Sequence, residues 1–170
     1  LKRYGAGPLW ATIPFGPYAR QDQERKGKLD SIGCDMAAKH LAIDYEGVST
    51  IEIHSEKALD ILKAHFGDGS AFSLDPTDVF KKDIDTLQLQ NPVVISPDQG
   101  ANSRADALAD ALNADRFCVD KKRSEVINVK VKGFKGDVQG RDCVMIDDMA
   151  DTLGTAVMAA ELVRKKGASR

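Results

Sequence analysis

The chain has 170 residues, 42% hydrophobic and 29% charged, with a formal net charge of −2. That balance is that of a globular chain long enough to bury a core without disulfide staples. It argues against a general nucleic-acid binder, which needs a basic face, but leaves room for a local basic site for phosphates. No stretch approaches the apolar length of a membrane span, and no signal peptide is visible. Neither nucleic acid nor a membrane is therefore an expected partner. Cys34, Cys118 and Cys143 are the cysteines. Their odd number and wide spacing, with no C-x-x-C pair, argue against zinc. Cys118 and Cys143 lie in apolar runs and are expected to be buried free thiols, which fits a reducing cytoplasm.

Leu1-Lys2-Arg3 reads as the end of a helix, and a strand is expected to follow Gly167-Ala168-Ser169-Arg170, so the chain reads as an internal piece of a longer protein. Leu9-Trp10-Ala11-Thr12-Ile13, between Pro8 and Pro14, predicts a buried strand. Gly16, Pro17 and the charged run from Arg20 to Asp30 read as a loop. Met36, Ala37 and Leu41 sit at helical spacing within 34–43. β-Branched residues over 48–53 predict a second strand. Ser55 looks like the N-cap of a helix running to Ala64, and Gly67-Asp68-Gly69-Ser70 closes that unit.

A weaker helix is expected over 79–84, and Asn91-Pro92 breaks the chain before a strand at 93–95. Pro97-Asp98-Gln99-Gly100 reads as a turn at that strand's C-terminal end, followed by an Ala-rich helix over 101–112 and a strand over 116–119. Residues 121–135 are basic, with a possible ribbon over 126–131. A strand over 143–146, a polar loop and a helix over 155–165 complete the pattern. Strands alternating with helices indicate an α/β fold with parallel sheets, and the break near 86–92 separates two units.

The sharpest feature is Asp147-Asp148-Met149-Ala150-Asp151-Thr152-Leu153-Gly154-Thr155. A buried strand ends in two carboxylates, and a short hydroxyl-bearing turn then opens a helix. Backbone amides at a helix start face an anion, and the helix dipole favours it. Thr152 and Thr155 can donate to phosphate oxygens, Gly154 permits close approach, and Asp147 and Asp148 can accept from two vicinal sugar hydroxyls. Taken alone, the spacing is equally that of a strand–helix loop with an Asp/Thr cap.

This stretch resembles the ribose-5-phosphate loop of type I phosphoribosyltransferases and ribose-phosphate pyrophosphokinases (PRPP synthetases), with Leu153 where Ala or Gly is usual. Further segments, in the same order as in the synthetases, resemble that family. Tyr18-Ala19-Arg20-Gln21-Asp22 is similar to its ATP-binding segment, which implies nucleotide contacts for Arg20, Gln21 and Asp22. Ile51-Glu52-Ile53-His54-Ser55 is similar to its Asp-Leu-His-Ala segment, with Glu52 in place of Asp. Ser96-Pro97-Asp98-Gln99-Gly100-Ala101 resembles its pyrophosphate turn, with Ala101 for a second Gly. The resemblance implies that His54 and Asp98 hold Mg²⁺ with the nucleotide. Asp120-Lys121-Lys122-Arg123 resembles its catalytic loop, which implies catalytic roles for Lys121 and Arg123, with Arg123 also reaching the sugar phosphate. Arg104, just beyond the turn, could face phosphate or solvent and is read as facing solvent.

The resemblance implies two phosphoribosyltransferase-like parallel-sheet units, the first incomplete. Residues 1–88 would belong to the ATP-side domain and 89–170 to the ribose-5-phosphate domain. It further implies diphosphate transfer from Mg-ATP to the 1-hydroxyl of ribose 5-phosphate, giving PRPP and AMP, in a cytoplasmic homo-oligomer. A non-catalytic regulatory paralogue of a synthetase, or a phosphoribosyltransferase that consumes PRPP, remains the alternative.

Overall fold

The structure is a computed structural model describing residues 4–24, 27, 31–120, 125–130 and 138–170. The chain divides into two compact units, Leu1–Pro76 and Thr77–Arg170. Among the described residues no helix is long and apolar enough to cross a membrane.

The first unit alternates strand and helix: β1 (Trp10–Ile13), α1 (Gly33–Asp44), β2 (Gly47–Ile51), α2 (Glu56–Phe66) and β3 (Ala71–Leu74). The strands form a parallel sheet in the order β1-β2-β3. Val48 and Ala71 from the sheet pack with Ala38 of α1 and Leu62 of α2 to make the core. α2 begins as its sequence predicts, since the Ser55 side chain accepts from the Ala58 amide. β3 was not legible in the sequence. It is only four residues long and alternates between buried and exposed positions, with Ala71 its one fully buried residue. Gly47 stands opposite Trp10 in the sheet. A Cβ there would lie 2.5 Å from the indole ring, so only glycine admits the ring.

The second unit comprises α3 (Thr77–Thr86), β4 (Val93–Ser96), a single 3₁₀ turn (Gln99–Ala101), α4 (Asn102–Leu112), β5 (Asp115–Asp120), β6 (Glu125–Lys130), β7 (Cys143–Met145) and α5 (Gly154–Lys165). Strand order is β6-β5-β4-β7. β4 pairs in parallel with β5 and β7. β6 adds antiparallel to β5, as the ribbon over 126–131 anticipated. Val93 and Ile95 pack under α5 with Phe117 and Val119, while Val94 packs under α4 with Leu108 and Ala109. A strand buried on both faces reads as an unbroken apolar run rather than an alternating one, which is why Val93-Val94-Ile95 stood out.

The three cysteines are free thiols. Cys34 and Cys118 are buried, but Cys143 is only partly so. β7 is only three residues long, and each of them keeps some exposure, so Cys143 is less covered than an apolar run suggests. Burial still pushes the Cys143 thiol up to about 11, with Arg141 opposing and Asp142 adding to it.

Candidate functional site

β4 and β7 are neighbours and run parallel, so the turns that follow them open at the same, C-terminal edge of the sheet. Open α/β sheets bind ligands there. The β4 turn carries Asp98 and the β7 loop carries Asp147 to Thr155.

Asp147 and Asp148 follow the buried Ile146. The Asp148 side chain is 3% exposed and that of Asp147 28%. The Asp148 amide donates to Asp147 Oδ1 at 2.9 Å. Burial is the main reason the Asp147 carboxyl is held above the ordinary carboxylate value. Hydrogen bonding and charge from Asp148, and charge from Asp98, push the same way, and the Asp148 amide opposes them. Three carboxylates therefore share one field.

Among the described residues, the cation in that field is Arg104. Its side chain is 10% exposed, and Nη1 lies 3.5 Å from Asp147 Oδ1 and 3.9 Å from Asp148 Oδ1. The expectation that Arg104 faces solvent is overturned. It stands in the first turn of α4, directly after the β4 turn, and the adjacency of β4 and β7 brings the acids to it. Pairing two distant strands is not visible in a sequence read one segment at a time, so this residue was missed.

Beyond the acids, Asp151, Thr152, Leu153 and Gly154 are exposed and Thr155 is partly buried. α5 starts at Gly154 with no side chain capping it and no acidic residue in its first turn. The first amides of a helix lack intrahelical partners, so this start offers donors to an anion. Leu153 adopts a left-handed conformation, φ +59°, and is half exposed.

Asp98 caps the 3₁₀ turn, accepting from the Gly100 amide at 3.0 Å. Its carbonyl accepts from Ser96 Oγ, and Pro97 behind it is fully buried. Asp98 is thereby held in a defined orientation at the strand end. Among the described residues no group of three or more His, Cys, Asp or Glu could by itself hold a metal.

Residues 66–170 match the phosphoribosyl transferase domain family. The chain belongs to that family. It is similar over its whole length to the ribose-phosphate pyrophosphokinases of Vibrio parahaemolyticus and Pasteurella multocida, at 38% and 36% identity, covering 53% of each. The crystal structure of phosphoribosylpyrophosphate synthetase from Mycobacterium smegmatis superposes with a TM-score of 0.81 at 30% identity, over 99% of this chain and 53% of that one. The chain thus spans about half the length of the relatives it matches.

In the first unit, Arg20 and Gln21 are exposed on the loop after β1. Asp22 is instead buried, 7% exposed, and accepts from Ser55 Oγ at 2.5 Å. It fastens this loop to the N-terminus of α2. Gln21 is fixed by its backbone, which accepts from the Cys34 amide. His54 follows β2 and is partly buried. Glu52, two residues earlier, has φ +46° and donates its amide to the Leu74 carbonyl. Non-glycine residues held at positive φ concentrate at functional sites. Lys121 and Arg123 lie outside the described residues.

Proposed function

We propose that this chain is the central part of a ribose-phosphate diphosphokinase, which transfers a diphosphate from Mg-ATP to the 1-hydroxyl of ribose 5-phosphate and yields PRPP and AMP. The observation that carries this reading is the open, uncapped start of α5 beside the paired carboxylates Asp147 and Asp148. A phosphate on the amides of 152–155 and a ribose diol on the two acids match a phosphorylated pentose at both ends.

In this reading Asp151, Thr152, Leu153, Gly154 and Thr155 hold the 5-phosphate through backbone amides and the two threonine hydroxyls. Asp147 and Asp148 accept from the ribose hydroxyls, and Arg104, beside both acids, orients them. The β4 turn serves the diphosphate. Arg20 and Gln21 contact the nucleotide, while Asp22 acts by holding their loop.

Mg²⁺ fits this chain: it usually takes only one or two protein carboxylates beside phosphate oxygens and water, and among the described residues the acids here outnumber the arginine beside them. Asp98 would hold it, and the resemblance adds His54. When bound, the ion neutralises charge on the nucleotide's phosphate oxygens. Lys121 and Arg123 stabilise negative charge on the transferring group. Phosphoryl-transfer catalysis is mainly positioning and electrostatics. No residue is assigned as a general base for the sugar's 1-hydroxyl. The reading places the protein in the cytoplasm as a homo-oligomer.

The test is formation of AMP and PRPP by the full-length protein given Mg-ATP and ribose 5-phosphate. Lys121→Ala is expected to cut turnover far more than ribose 5-phosphate affinity. Consumption of PRPP with a nucleobase and no synthesis from ATP would instead mark a phosphoribosyltransferase. Binding without turnover would mark a regulatory paralogue.

A further inference from the structure

Arg116 is a charged residue in the interior of the second unit, 3% exposed. Burying a guanidinium costs several kcal/mol unless its donors are met, so where they go matters. Nε donates to Asp106 Oδ1 at 2.8 Å, and Nη1 donates to Asn102 Oδ1 at 2.8 Å. Asn102 is the first residue of α4, directly after the 3₁₀ turn. The same Asn102 oxygen accepts from Ser96 Oγ at 2.9 Å. Ser96, fully buried at the end of β4, also donates to the Asp98 carbonyl.

A guanidinium can only donate, whereas an amide side chain can be turned either way. Arg116 therefore fixes which end of the Asn102 amide faces inward, and that end is an acceptor. The single Ser96 proton then has two acceptors within reach, Asn102 Oδ1 and the Asp98 carbonyl. Both belong to the segment that forms the β4 turn.

We infer that Arg116, Asn102 and Ser96 form a hydrogen-bonded relay that sets the conformation of the Asp98–Ala101 turn, and so act as positioning residues for the diphosphate-bearing substrate. The substrate role rests on the function proposed above, but the structural role does not. Asp106 is 40% exposed and reaches water without its partner, so Arg116 can be replaced without stranding a buried carboxylate.

The test has a part independent of catalysis. Amide hydrogen exchange at Gly100 reports the turn, because that amide is bonded to Asp98 Oδ1. Arg116→Met and Asn102→Leu are expected to speed exchange at Gly100 by about tenfold while leaving Ile95 in β4 unchanged, since local openings occur independently of global unfolding. Asn102→Asp, which keeps an acceptor for both partners, is expected to restore the slow rate. Where Asn102→Leu does not fold, Ser96→Ala removes the hydroxyl that donates to both acceptors and should give the same signature. Unchanged Gly100 exchange in the folded variants, or failure of Asn102→Asp to differ from Asn102→Leu, overturns the relay.

In the full-length enzyme, the same variants are expected to raise KM for Mg-ATP about fivefold with kcat within about twofold, the pattern of lost binding shared by ground and transition states. Altered exchange with an unmoved KM in an active enzyme overturns the positioning role. Altered exchange in a protein that makes no PRPP leaves the relay standing and removes the proposed activity.

Discussion

Arg104 and Asp147 meet between the first turn of α4 and the end of β7, with Nη1 3.5 Å from Oδ1. Asp148 Oδ1 completes the group at 3.9 Å from the same nitrogen. One guanidinium thus serves two adjacent acids, the more buried of which has little access to water. Replacing Arg104 by Met keeps an unbranched side chain and removes the charge and the guanidinium's donors. The folded state is expected to lose on the order of 1 kcal/mol, since a buried carboxylate then lacks part of its compensation. Urea unfolding at pH 7 measures this, and an unmoved midpoint would mean the pair contributes nothing.

Asp147 is the converse case, an acid that weakens the fold. Burial first, then Asp148 and Asp98, raise its carboxyl above its ordinary value. The folded protein therefore holds the proton more tightly than the unfolded chain, whose value is about 3.9. Stability falls as pH rises from that value through the folded one, and the cost is complete above it. Asp147→Asn is expected to raise the thermal midpoint at pH 7, with the gain shrinking to nothing near pH 3. Melting curves across that range decide it, and an equal gain at every pH would assign the effect to something other than ionisation. The same substitution should weaken ribose 5-phosphate binding, as the proposed diol contact requires.

Much of this architecture was legible because burial writes itself into composition. Val93-Val94-Ile95 is apolar throughout since both its faces are covered, and Ser55 carries its capping function in its identity. β3 failed that test because three of its four residues keep some exposure. The loop from Asp147 to Thr155 stood out by its local pattern, two acids at a strand end before a helix, although that spacing alone is equally a capped strand–helix loop. Arg104 was not, because its meaning depends on β7 lying beside β4. Arg116 was hidden for the same reason: a charge in a strand reads as a surface residue until Asn102 and Asp106 are found next to it.

Leu153 occupies a left-handed conformation at φ +59° with its side chain half exposed. That conformation costs an L-residue about 1–2 kcal/mol, and nothing buried repays it. Leu153→Gly removes this cost but adds freedom to the unfolded chain worth about 0.5–1 kcal/mol. The net expectation is a gain of roughly 0.5–1 kcal/mol, with Leu153→Val destabilising because β-branching suits positive φ least. Chemical denaturation of the two variants should move the midpoint in opposite directions. A destabilised glycine variant would show that the leucine side chain makes a contact the fold uses.

Ser55 does two jobs at once in the first unit. Its Oγ accepts from the Ala58 amide at 3.0 Å and donates to Asp22 at 2.5 Å. Ser55→Ala removes the cap, worth about 1 kcal/mol, and also deprives a buried carboxylate of a donor, worth about 1–3 kcal/mol. The expected loss is about 2–4 kcal/mol. Asp22→Asn keeps the cap and lets the carboxamide oxygen still accept from Ser55, so it should cost clearly less. Asp22 also contributes, after burial, to holding the Cys34 thiol above its ordinary value. Neutralising it should therefore lower the pH at which Cys34 becomes reactive toward a thiol reagent, whereas Asp44→Asn, outside the groups that shift Cys34, should not. Equal stability losses in Ser55→Ala and Asp22→Asn would mean that the carboxylate's charge, rather than the hydroxyl at the head of α2, fastens the Arg20 loop to the fold.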